Sequence, residues 1–271
     1  TVYAWSFFQK PLVSACGWSN TQAAWVFSIA ICFLGLSAAW GGTKLDRFGP
    51  RKMAMTGGVL FGLGYIIGGI ALSVRSLPLL YLGYGVIGGC GLGFGYVTPV
   101  ATVAKWFSRN KGLATGMVIM GFGFGALIMS KILAPVLMRM TSSSAAPQGD
   151  LVTVFIALGG FFVIAAPAAG FFIVNPPDYK PAPEHAADRP VSGFLFSRRF
   201  LTLWFVFFCN IAAGISIISF QSPLLQDLLR KADASLSPEV LAAYGGTLIA
   251  ASSIFNGIGR FFWGGVSDRI G

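Results

Sequence analysis

Seven stretches of this 271-residue chain are apolar for about the length that a helix needs to cross a lipid bilayer. They run over 22–42, 53–73, 78–104, 112–138, 151–174, 199–224 and 240–266. Only 10% of the residues are charged, against about a quarter in a soluble domain. The chain therefore reads as an all-α, multi-pass membrane protein. The apolar stretches are too many and too long for a signal peptide.

The charges that remain sort by loop. One side carries Lys44, Arg47, Arg51, Lys52, Lys105, Arg109, Lys111, Lys180, Arg189, Arg198, Arg199 and Arg269. The other carries Lys10, Arg75, Arg139, Arg230 and Lys231. The richer side is expected in the cytoplasm, because insertion retains Lys and Arg there. The net charge of +10 would suggest a nucleic-acid partner in a soluble chain; here its distribution follows topology instead. Cys16, Cys32, Cys90 and Cys209 show no CxxC spacing, and neither a metal site nor a disulfide is inferred.

Two cations fall inside apolar stretches. Arg260 lies eight residues before Asp268, ~12 Å of helix, which is close to the bilayer midplane if Asp268 marks the water boundary. A centred arginine is costly unless it faces the protein interior or a cavity. A guanidinium stays charged and its fork matches a carboxylate. Asn256 is one turn away on the same face and offers neutral hydrogen-bonding atoms. This pair reads as a seat for a small organic anion. Lys131 lies ~28 Å along its helix from Gly112 and is expected to snorkel at the outer surface. No Asp, Glu or His lies deep in an apolar stretch, which argues against membrane enzyme chemistry, and no cofactor motif is present. His185 falls in a solvated loop, away from any relay.

The pattern G-x-x-x-D-R-x-G occurs twice, at 42–49 and 264–271, 222 residues apart and each time after a long apolar helix. Repeats on this scale build many secondary transporters. The reading that follows has 1–174 as an N-terminal bundle, 175–198 as a proline-rich cytoplasmic linker and 199–271 as the start of a second bundle. Thr1 to Leu12 reads as the outer end of a first helix, followed by a loop from Pro11 through Asn20. By the symmetry, an intact protein would have about 400 residues and the chain would lack most of helix 1 and everything after helix 8.

Gly42, Asp46-Arg47-Phe48-Gly49 and Arg51-Lys52 match the loop signature of the major facilitator superfamily, which the chain resembles. With Tyr3-Ala4-Trp5, the Lys105–Gly116 block, Asn175-Pro176-Pro177 and the run around Arg260, the resemblance narrows to the branch of monocarboxylate transporters and oxalate:formate antiporters. That resemblance implies two six-helix bundles with substrate held between them, and a monomeric transporter in the cell membrane, the inner membrane in a Gram-negative bacterium. It implies Arg260 as partner of the substrate carboxylate, and Tyr3 and Tyr96 as pocket tyrosines; Phe122, read from its own glycine run, is expected to face the cavity. Animal monocarboxylate transporters have an aspartate where this chain has Asn256. The resemblance also implies that Gly42, Asp46, Arg47, Arg51, Gly264, Asp268 and Arg269 gate the bundles. The cargo it suggests is a lactate- or pyruvate-like monocarboxylate with a proton as coupling ion, or oxalate and formate in exchange.

The glycine runs 91–95 and 121–125 lie within apolar helices and are expected to serve packing and bending rather than nucleotide binding.

Overall fold

Apolar length sets the helices, and single residues end them. The computed structural model describes residues 4–141, 150–180 and 196–270. Its helices are α1 (Trp5–Cys16), α2 (Asn20–Phe48), α3 (Pro50–Ser73), α4 (Leu77–Trp106), α5 (Lys111–Met140), α6 (Leu151–Phe171), α7 (Arg198–Ala232) and α8 (Pro238–Ile270). No strand occurs among the described residues. The last seven are each long and apolar enough to cross a membrane.

The ends differ from the hydropathy reading in instructive ways. Pro11 does not begin a loop: α1 continues through it to Cys16, and Gly17 ends the helix at φ 71° with its N–H on the Val13 carbonyl. Ser19 then opens α2 through a reciprocal capping box with Gln22. The first signature motif is not a loop either. Residues 42–48 are the last turns of α2, and the break is Gly49 alone, at φ 79°, a conformation that suits glycine. α7 runs on to Ala232, past the apolar stretch, because a helix need not stop where lipid stops.

Small residues decide which helices touch. In lipid the hydrophobic effect does not drive helices together, so close approach and dispersion must. α3 lies against α6, where a Cβ on Gly62 would stand 2.5 Å from the Val163 nitrogen. α2 lies against α4, and α5 against α8. Trp5, Phe8, Tyr65, Tyr84 and Phe155 form an aromatic core joining α1, α3, α4 and α6. Trp5 and Tyr84 have ring centroids 4.7 Å apart. α7 joins this assembly through its C-terminal half, where Gln221, Ser222, Pro223 and Gln226 are buried; its apolar N-terminal half is exposed.

Both copies of the motif lie at one end of the helices. Asp46 bonds Lys105 at the end of α4, and Asp268 bonds Gly112 at the start of α5. At the opposite end the helices part around a cavity of about 1040 Å³.

Candidate binding site and the two helix ends

Arg260 and Asn256 share one face of α8, as a four-residue spacing requires. Long helical side chains lean toward the N-terminus, so the guanidinium folds back over Asn256. Arg260 Nε donates to Asn256 Oδ1 at 2.9 Å. The bond fixes one edge of the guanidinium. Arg260 is half-buried and stands ten residues before the end of α8, about 15 Å of helix.

One turn further along α8 come Ser252 and Ser253, which the sequence reading passed over. Ser252 Oγ donates to Gln221 Oε1 of α7 at 2.8 Å. Ile218, Gln221, Ser252, Ser253 and Asn256 line a small cavity between α7 and α8. The sequence signal was available: Gln221 is a neutral polar residue in an apolar stretch, and the serine pair sits one turn from Asn256. Attention to charge alone missed both.

Tyr96 of α4 and Phe122 of α5 are half-buried and pack edge to face, with ring centroids 5.3 Å apart. The neighbouring glycines divide by role. Gly91, Gly93 and Gly123 lie against the backbones of α3, α2 and α8, respectively. Gly95, Gly121 and Gly125 have open space where a side chain would be. Packing therefore explains half of these glycines, and a Cβ on any of the rest would meet nothing within 4 Å. Tyr3 lies outside the described residues, as does His185.

The large cavity is walled by α1, α5, α7 and α8. Its cations are Lys10, Lys131, Arg139 and Arg230; its acids are Asp227 and Glu239. Lys10 of α1 pairs with Asp227 of α7 at 2.6 Å. Lys131 is exposed at the end of the molecule where this cavity lies, as expected. It lies in a wide, π-helical turn of α5, Met129–Leu133, and its ammonium donates to Thr247 Oγ1 of α8. Such turns change the direction in which following side chains point.

The opposite end is closed where α5 meets α8. A Cβ on Gly264 would stand 2.3 Å from the Gly112 oxygen, and one on Gly116 would stand 2.5 Å from the Arg260 oxygen. Asp268 spans the junction, its Oδ1 accepting from Gly112 N at 2.8 Å and its Oδ2 from Leu113 N at 2.7 Å. The α5 cap residue, Asn110, makes no side-chain cap of its own. Asp268 therefore caps α5 from another helix, answering unpaired N–H groups and the positive end of the helix dipole.

The first copy of the motif binds differently. Asp46 accepts from Lys105 Nζ at 2.6 Å and from the Tyr179 hydroxyl at 2.9 Å to Oδ2. Lys105 also stands over the Tyr179 ring, 4.0 Å from its centroid. Arg51 lies 4.4 Å from the Phe171 ring centroid, Arg47 stands 6.0 Å from that of Phe48, and Gly42 faces Val97. These contacts stay among α2, α3, α4, α6 and the chain just after α6. Arg269 is exposed. The tie between α5 and α8 at this end belongs to Asp268 and the glycines.

The chain is similar to three transport proteins of known naming. It is 28% identical to the oxalate:formate antiporter of Oxalobacter formigenes over 99% of this chain and 60% of that protein. It is 26% identical to apicoplast pyruvate carrier 1 of Toxoplasma gondii over 93% of this chain and 54% of that one. It is 36% identical to mouse monocarboxylate transporter 12 over 41% of this chain and 22% of that one. The chain thus spans less than two thirds of each of these relatives. The model of the Major Facilitator Superfamily matches residues 2–271, and with the helical architecture above, the chain belongs to that superfamily.

Proposed function

We propose that this chain forms the greater part of a secondary transporter that moves a small monocarboxylate, lactate- or pyruvate-like, with a proton. In this reading the carboxylate binds Arg260, and Asn256 holds the guanidinium in its binding orientation. The observation that carries it is the Arg260–Asn256 bond inside α8, which holds a permanent cation in a fixed orientation on a half-buried face of that helix. Tyr96 and Phe122 wall the pocket on the α4–α5 side.

The described conformation suits an outward-facing state. Residues 1–174 and 199–271 then form two bundles joined by the cytoplasmic linker 175–198. The α5–α8 junction closes their cytoplasmic side, and the cationic cavity opens outward to draw anions in. Transport follows when the junction parts and the outer end shuts.

Exchange of oxalate and formate is the second reading, favoured by the similarity to the Oxalobacter antiporter over nearly the whole chain. A dicarboxylate carries two charges, so it calls for a second cation beside Arg260.

Counterflow in proteoliposomes with labelled lactate, pyruvate, oxalate and formate, with and without a pH gradient, separates these readings. Arg260→Ala is expected to abolish uptake while the protein still inserts. Arg260→Lys is expected to be poor as well, because an ammonium lacks the planar fork. Wild-type uptake in either variant would overturn the role of Arg260.

A further inference from the structure

The small cavity between α7 and α8 is more than a packing gap. Gln221 is 5% exposed and Ser253 is 3% exposed. Gln221 Nε2 and Ser253 Oγ are both buried without a hydrogen-bond partner. Orphaned polar atoms are rare in folded proteins because each costs its full desolvation. Two of them border one cavity here, and Asn256, the partner of Arg260, borders it too.

The amide of Gln221 is held by its other atom. Ser252 Oγ donates to Oε1, which fixes Nε2 as the remaining donor. The cavity has room for about one water-sized group. It contains an amide N–H, a hydroxyl and the Asn256 side chain, and no cation. It can satisfy a neutral oxygen. It cannot offset a second carboxylate, whose buried charge would need a cation.

We propose that this cavity is a subsite for one oxygen substituent of the substrate, a hydroxyl or carbonyl on the carbon next to the carboxylate. Gln221 and Ser253 then make the transporter select 2-hydroxy and 2-oxo monocarboxylates over unsubstituted ones. The inference rests on the proposed carboxylate role of Arg260. Ser252 and Ser253 lie one turn, ~5.4 Å, from Asn256, within reach of a group attached beside the carboxylate. A substrate bearing only hydrogen there leaves both buried atoms unpaired, which is how a polar site rejects an analogue lacking its oxygen.

The test compares uptake of lactate, pyruvate and propionate by the intact protein in proteoliposomes. Wild type, Ser253→Ala, Gln221→Met and Arg260→Gln are measured together. Ser253→Ala removes one oxygen and disturbs packing least. In each of the two subsite variants the lactate-to-propionate ratio of kcat/KM is expected to fall about 3- to 10-fold, the worth of one neutral hydrogen bond. Propionate uptake itself should hold or improve. An unchanged ratio, or equal losses for all three acids, would overturn the inference and assign the cavity to a resident water. Should wild type carry none of the acids, or Arg260→Gln carry them normally, the carboxylate reading itself fails. That outcome is distinct from an unchanged ratio in a working transporter.

Discussion

Asp268 caps a helix that begins more than 150 residues before it in sequence, through a 2.8 Å bond from the Gly112 backbone N–H to its carboxylate. The second oxygen takes the next N–H, of Leu113. A carboxylate at a helix N-terminus is worth roughly 0.3–1 kcal/mol when exposed and up to ~2 kcal/mol when partly buried. Asp268 is exposed, so the pair alone stabilises the closed end modestly. Asp268→Asn keeps an acceptor and removes the charge. It is expected to shift the α5–α8 junction toward opening by a few-fold, read as a broadened distance distribution between spin labels at 109 and 269. A distribution identical to wild type would mean that the glycine packing closes this end unaided.

The glycines of that junction set a stricter limit. A Cβ at 264 would meet the Gly112 oxygen at 2.3 Å, a backbone atom that cannot turn aside. Gly264→Ala is expected to cost about 1–3 kcal/mol of the closed arrangement, the usual penalty for overpacking. The measurement is thermal stability in detergent together with labelling of a cysteine introduced at the junction. Labelling should rise. Gly121→Ala, at a position with open space, serves as the neutral comparison.

Asn256→Asp would give Arg260 an ionised partner four residues away. The substrate would then have to displace an internal ion pair, and affinity near neutral pH is expected to fall at least 10-fold. Uptake by wild type and variant at matched pH checks this, and a variant with unchanged affinity at neutral pH would count against the carboxylate seat.

The outer cavity holds four cations against two acids, and Lys10 already pairs with Asp227. Lys131→Gln is expected to raise KM about 2- to 5-fold at low ionic strength. The difference should shrink in high salt, where the Debye length drops to ~3 Å. An effect independent of salt would assign Lys131 to its bond with Thr247 rather than to attraction of anions. The Lys10–Asp227 pair is itself partly exposed, 29% and 65% at the two side chains, so its loss should cost no more than ~1 kcal/mol.

Much of this architecture is legible in the residues because lipid is a demanding solvent. All seven apolar stretches are helices, and each is found within a few residues of its expected place. The misses cluster at ends. α2 swallows the signature motif and α7 continues to Ala232, since hydropathy measures lipid contact rather than helix length. Pro11 reads as a stop in the sequence, yet α1 carries it as an interior residue and forgoes the bond that its missing N–H would make to the Phe7 carbonyl. The spacing of Asn256 and Arg260 was enough to foresee that they meet, because a helix brings residues four apart together.

What the sequence by itself determined is a set of lipid-length helices, the repeated motif at two helix ends, and a cation with its neutral neighbour on one face of α8. Those follow from local periodicity and from the cost of charge in hydrocarbon. Only the tertiary structure decided that Asp268 caps α5 while Asp46 holds Lys105 and Tyr179, and that Lys131 reaches Thr247. It alone brought Gln221 beside Ser252, Ser253 and Asn256. Each of these joins residues from separate stretches of the chain. Their meeting depends on how closely small side chains let two backbones approach, and no single stretch of chain carries that information.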